Sequence, residues 1–153
     1  MVALGSRLYA GTPGGVFLST NNGAIWNPVN YNLSNLDVRS LAVSLNNLFA
    51  GTMGGGIFMS TDYGDFWLPV NSGLTDLNVQ NVTVVIRNLF VGTTNGGAFY
   101  SSNYGTNWIT INNGLTDLNV TSFLFANSNV FSGTLASGIF KSTNNGANWY
   151  PIN

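Results

Sequence analysis

The sequence predicts an all-β chain in which one four-stranded antiparallel sheet is repeated four times, the plan of a β-propeller. Three observations carry that prediction. Trp26, Trp67, Trp108 and Trp149 are the only tryptophans and each lies 41 residues from the next, a period that marks one supersecondary unit in tandem. Each tryptophan closes the same octet, Ser-x-Asp/Asn-x-Gly-x-x-Trp. Between the octets, short runs rich in Val, Ile, Leu and Phe alternate with Gly, Asn and Ser clusters, and no stretch has helical periodicity.

Aligned on Gly11-Thr12, Gly51-Thr52, Gly92-Thr93 and Gly133-Thr134, the repeats are spaced 40, 41 and 41 residues apart. The single-residue difference falls in a turn, where no ladder register passes through it. Repeats are expected at approximately 1–29, 30–70, 71–111 and 112–153, together forming one unit over 1–153. Each reads as four strands. The first is an apolar, β-branched run at Val38 to Leu45, Val79 to Ile86 and Val120 to Ala126, with Met1 to Leu4 as a truncated copy. The second is Leu48 to Thr52 and its counterparts Leu8 to Thr12, Leu89 to Thr93 and Val130 to Thr134. After a Gly-rich turn comes the third, Ile57 to Ser60, matched by Val16 to Ser19, Ala98 to Ser101 and Ile139 to Ser142. The octet turns the chain into the fourth, Trp67 to Val70 and its equivalents. Successive apolar residues such as Ile57-Phe58-Met59 and Phe123-Leu124-Phe125 predict sheets covered on both faces by neighbours, which is how propeller blades pack.

Composition narrows the function. The protein is 44% hydrophobic and 13% aromatic over 153 residues, enough to bury a substantial core. Only 6% of residues are charged and the net charge is -1, so there is no basic surface for nucleic acid or anionic membrane. The N-terminus lacks the pattern of a signal peptide, and no apolar run approaches the ~20 residues of a membrane span. Cysteine, histidine and glutamate are absent. Disulfides and thiolate chemistry are thereby excluded, and no His/Cys cluster offers a metal site. No cofactor is expected.

Within the octet, Asn or Asp accepts hydrogen bonds from turn amides and Gly supplies positive φ. Trp then buries a large plate against the neighbouring blade, and its indole N–H needs an acceptor. The structural set is Ser19, Asn21, Gly23 and Trp26; Ser60, Asp62, Gly64 and Trp67; Ser101, Asn103, Gly105 and Trp108; and Ser142, Asn144, Gly146 and Trp149. This octet resembles the Asp-box, or BNR, repeat of sialidases, sortilin-type receptors, two-domain xyloglucanases and photosystem II assembly factors. Four in-phase copies span nearly the whole sequence. The resemblance implies propeller blades, with the octet on the outer part between third and fourth strands, and an extracellular or periplasmic setting. The acidic position departs from the family, since only Asp62 is acidic and Asn21, Asn103 and Asn144 replace it elsewhere.

Sialidase activity, which the resemblance brings up, would require three converging arginines and a Tyr-Glu pair. Glutamate is missing, and Arg39 opens a first strand while Arg7 and Arg87 lie at the opposite end of their blades. A glycosidase of the xyloglucanase kind needs two carboxylates about 5 to 10 Å apart. Asp62 and Asp65 belong to the octet turn, however, and Asp76 and Asp117 are copies of one another. The expectation is a non-enzymatic Asp-box scaffold that self-assembles, of a length that also fits a fragment or engineered piece of a larger propeller. The alternative is a lectin-like module binding glycan at the channel mouth through Arg39, Gln80 and Thr121 beside Asp37, Asn78 and Asn119; Tyr63 and Tyr104 are aromatic surfaces for sugar stacking or covers for their turns. Glycoside hydrolysis comes third.

Four blades in an open arc would leave an apolar face at each end, which favours association. Related blades, by resemblance, form rings of six to eight. The expected partner is therefore the protein itself, as a homodimer forming an eight-bladed ring with the Met1 blade of one copy against the Trp149 blade of the other. A single-chain four-bladed ring is the runner-up and a trimer a further alternative.

Overall fold

The computed structural model describes residues 1–152. Its sixteen strands form four sheets, each with its strands hydrogen-bonded in sequence order. The first sheet holds β1 (Val2–Leu4), β2 (Arg7–Thr12), β3 (Gly15–Ser19) and β4 (Asn27–Pro28). The second holds β5 (Val38–Ser44), β6 (Asn47–Thr52), β7 (Gly56–Ser60) and β8 (Leu68–Pro69). The third holds β9 (Val79–Val85), β10 (Asn88–Thr93), β11 (Ala98–Ser101) and β12 (Ile109–Thr110), and the fourth β13 (Val120–Ala126), β14 (Asn129–Thr134), β15 (Ile139–Ser142) and β16 (Tyr150–Pro151). Every pairing is antiparallel. These are the blades of a β-propeller, and no described residue is helical. The last expected repeat runs to Asn153, which lies outside the described residues.

Two expected strand ends are corrected. Leu45 and Ile86 are not strand residues: their φ angles of 55° and 62° begin the tight turns into β6 and β10. The fourth strands shrink from Trp67 to Val70 to the pair Leu68–Pro69. The Trp67 N–H is drawn out of its own sheet to the carbonyl of Tyr31, 3.2 Å away in the incoming connection. Pro28, Pro69 and Pro151 stand in these outermost strands, the one place in a sheet where a residue without an N–H removes no ladder bond and blunts edge pairing.

Three hydrophobic cores hold the arc together, and each spans two consecutive blades. Tyr9, Val16, Leu41, Leu48, Phe58 and Trp67 join the first to the second. Phe49, Ile57, Val79, Leu89, Phe99 and Trp108 join the second to the third, and Phe90, Ala98, Val120, Phe140 and Trp149 the third to the fourth. Among the described residues no core joins the first blade to the fourth. This corrects the runner-up single-chain four-bladed ring: the arc is open.

The cores close around glycines. In β6, a methyl group at Gly51 would lie 2.6 Å from Cγ1 of Val79, and at Gly92 in β10 it would lie 2.7 Å from Cγ1 of Val120. The next blade's first strand thus presses a valine into a notch that only glycine leaves open.

Candidate functional site

The octet turns are built alike. Ser60 Oγ donates to Asp62 Oδ1 at 2.8 Å and accepts the Gly64 N–H at 2.8 Å, while Asp62 Oδ1 also accepts the Phe66 N–H at 3.0 Å. Asn21, Asn103 and Asn144 use their amide oxygens for the same two bonds, with Ser19, Ser101 and Ser142 as partners. A single oxygen accepts both bonds, so amide and carboxylate are interchangeable here. Gly23, Gly64, Gly105 and Gly146 take φ between 80° and 94°, which a side chain would resist.

Each octet delivers its tryptophan to a blade boundary. Trp67 Nε1 donates to Val29 O at 2.8 Å, Trp108 Nε1 to Val70 O at 2.7 Å and Trp149 Nε1 to Ile111 O at 2.7 Å. All three rings are at most 2% exposed. Trp26 differs from the expected pattern. It is half-buried, and among the described residues no acceptor faces its indole N–H, because no blade flanks that side of the first sheet. The matching acceptor, the carbonyl end of Ile152, lies at the far end of the arc. There Phe123, Leu124, Phe131, Ile139 and Ile152 line an open groove of about 380 Å³.

Three of the six polar residues expected at the channel mouth, Arg39, Gln80 and Thr121, share one structural cause. Val38 pairs with Thr52 but Ser40 with Gly51, leaving Arg39 as the extra residue of a β-bulge; Thr121 is extra between Val120 and Ser122, and Gln80 between Val79 and Asn81. Bulges re-aim a side chain away from the ladder. Arg39 Nε lies 2.7 Å from Asp37 Oδ1. Gln80 donates to Asn119 across the boundary between third and fourth blades. Asn78 donates to Asp76 Oδ1 at 3.0 Å, and Thr121 Oγ1 to Gly133 O at 3.1 Å. The structure therefore brings together Asp37 with Arg39 and Gln80 with Asn119, and engages Asn78 and Thr121 with other groups of their own blades.

The carboxylates serve turns. Asp76 Oδ2 accepts the N–H groups of Asn95 and Gly96 at 2.8 and 2.9 Å, and Asp117 Oδ2 accepts that of Ala136 at 2.6 Å. Their other oxygens take the Asn78 and Asn119 amides. Burial opposes ionisation of Asp76, but the sum of its donors holds the carboxyl below its ordinary range. The Asn119 and Ala136 amides lower Asp117, and the Phe66 amide lowers Asp62. Each is a carboxylate stabilised as an anion by backbone donors.

Tyr63 and Tyr104 do not stand free. The Arg7 guanidinium lies 4.3 Å from the Tyr63 ring centroid, Tyr9 Oη donates to Tyr63 O at 2.9 Å, and Tyr104 packs on the core between the second and third blades. Sequence reasoning missed a third repeated device. Asn30, Asn71 and Asn112 accept the N–H groups of Val16, Ile57 and Ala98, each at 2.7 Å, tying the exit of the fourth strand to the start of the third. Their in-phase recurrence after each fourth strand was the signal, obscured by the abundance of Asn in this protein.

No protein-family model matches the sequence, and no curated protein matches it. Solved structures do. An ancestral GH74 enzyme superposes with a TM-score of 0.80 at 29% identity, over 96% of this chain and 22% of that one. YCF48 from Cyanidioschyzon merolae gives 0.68 at 18% identity, over 95% of this chain and 52% of that one. The computationally designed Ika8 protein gives 0.73 at 14% identity, over 97% and 46%. The chain thus spans between 22% and 52% of the length of these relatives.

Proposed function

We propose that this protein is a non-catalytic propeller scaffold of the Asp-box type, in which two copies pair head to tail and close an eight-bladed ring. One observation carries the reading: the two ends of the arc hold opposite halves of the joint that is complete at the three internal boundaries. Trp26 supplies the indole donor, and the last blade supplies the carbonyl end at Ile152 and the apolar groove beside it. A head-to-tail contact of this kind ends only by closing, which two copies achieve at both ends at once. The likeness to the computationally designed Ika8 protein, of which this chain covers 46%, supports a scaffold role.

Leu124 is 62% exposed in the groove, so Leu124→Asp places a charge in the proposed interface without entering a core. Native mass spectrometry is expected to show wild-type dimers and variant monomers with the same β-sheet circular dichroism. A variant that assembles as fully as wild type contradicts the reading.

Glycoside hydrolysis is the second reading, favoured by the likeness to GH74 enzymes. Against it stand the carboxylates themselves: Asp62, Asp76 and Asp117 are engaged by turn amides and Asp37 by Arg39. Turnover of a β-glucan by the purified protein would decide for hydrolysis.

A further inference from the structure

Four Asn-Gly pairs occur in the sequence: Asn22-Gly23, Asn95-Gly96, Asn113-Gly114 and Asn145-Gly146. In such a pair the glycine nitrogen can attack the asparagine side-chain amide, because no Cβ on the glycine blocks the approach. The nitrogen must first give up its proton, and a hydrogen bond that it donates holds it back. Gly23 and Gly146 are held in this way, donating to Ser19 Oγ at 2.9 Å and Ser142 Oγ at 2.8 Å. Gly96 donates to Asp76 Oδ2 at 2.9 Å and Thr93 Oγ1 at 3.0 Å. Gly114 differs: it is exposed, and among the described residues no acceptor takes its N–H.

We infer that Asn113 is a spontaneous deamidation site and that its conversion loosens the joint between the third and fourth blades. The Gly114 nitrogen bonds to Asn113 Cγ and loses its proton as the Cγ–Nδ2 bond breaks and ammonia departs. Water then opens the resulting succinimide at either carbonyl, giving an aspartyl or an isoaspartyl link. One water is consumed for each ammonia released, and nothing is oxidised or reduced. The Asn113 amide group donates to Asn148, an exposed contact that water competes with.

The site sits on the Trp149 anchor. Asn113 O accepts the Trp149 N–H at 2.8 Å, Ile111 O accepts Trp149 Nε1 at 2.7 Å, and Gly114 lies so near the Trp149 carbonyl that a Cβ there would collide with it. An isoaspartyl link adds one backbone carbon inside that three-point grip. The matching positions at the other boundaries are Tyr31-Asn32 and Ser72-Gly73, so this joint alone carries the reactive pair.

The test is incubation of the full-length protein at mildly alkaline pH, with each Asn-Gly pair followed by fragmentation mass spectrometry. A hydrogen bond worth about 1 kcal/mol net protects roughly fivefold, so Asn113 should convert roughly fivefold faster than the other three. Ser19→Ala, which releases the Gly23 N–H, should speed Asn22 toward the rate of Asn113. Asn113→Ser copies the residue that Ser72 places in the preceding joint; it should abolish conversion there and prevent the rise in hydrogen exchange at the Trp149 amide that accompanies it. Equal rates at all four pairs, an unaltered Asn22 in Ser19→Ala, or an unchanged Trp149 amide in the isoaspartyl fraction would overturn the inference.

Discussion

Trp108 Nε1 reaches 2.7 Å across a blade boundary to the carbonyl of Val70, and the same bond recurs wherever two blades meet. It joins a buried aromatic plate of one blade to the end of the fourth strand of the blade before it. Removing the N–H alone, by Trp108→Phe, deletes the bond and leaves the Val70 carbonyl without its donor, at a cost of about 1 to 3 kcal/mol. Trp26→Phe, at the open end, is expected to stay within about 0.5 kcal/mol when both changes are compared in the monomeric Leu124→Asp background. Urea unfolding of the two variants measures the contrast; equal losses would contradict it.

The valine notches give a second contrast. Gly92→Ala drives a methyl against the Val120 carbonyl and side chain, at 2.5 and 2.7 Å, and overpacking of this kind costs about 1 to 3 kcal/mol. Gly133→Ala meets only the Ser122 hydroxyl at 2.6 Å, a group that rotates aside. Thermal unfolding is expected to rank Gly92→Ala well below Gly133→Ala.

Acid should weaken the fold through Asp62, Asp76 and Asp117, whose carboxyls are all held below their ordinary range. A carboxyl depressed in the folded state binds protons more readily when unfolded. Its stabilising contribution is present above the unfolded value and is lost as pH falls through the folded one. Asp62→Asn reproduces the arrangement of Asn21, Asn103 and Asn144, so it should leave neutral-pH stability nearly unchanged. Below the ordinary carboxylate range it should lose less stability than wild type. Parallel acid titrations of the two proteins, followed by circular dichroism, would contradict this.

Ile86 offers a gain. It is 85% exposed at φ 62°, and a β-branched residue in the left-handed region is strained by about 1 to 2 kcal/mol. The corresponding residue of the fourth blade is Asn127, at φ 50°. Ile86→Asn should therefore stabilise the fold by about 1 kcal/mol in denaturant unfolding, and a loss would show that the turn is not under strain.

The blade plan was legible because tryptophan, Gly-Thr and the octet repeat in phase, and local turn chemistry needs no knowledge of neighbours. What stayed hidden depends on contacts between blades. Gly51 and Gly92 read only as markers of the second strands until Val79 and Val120 are seen to fill the space a side chain there would need. Arg39, Gln80 and Thr121 read as strand openings, and their role as bulge residues follows from the register with Gly51, Gly92 and Gly133. The partial exposure of Trp26 was equally invisible, because its octet is local and identical in kind to the buried three.

The central claim is that the Trp26 end of one copy completes the groove end of another. Light scattering on the intact protein in dilute solution tests it most directly. The expected mass is twice 16.3 kDa, falling to that of one copy in Leu124→Asp. A wild-type mass of 16.3 kDa with the sheet signal intact would contradict it.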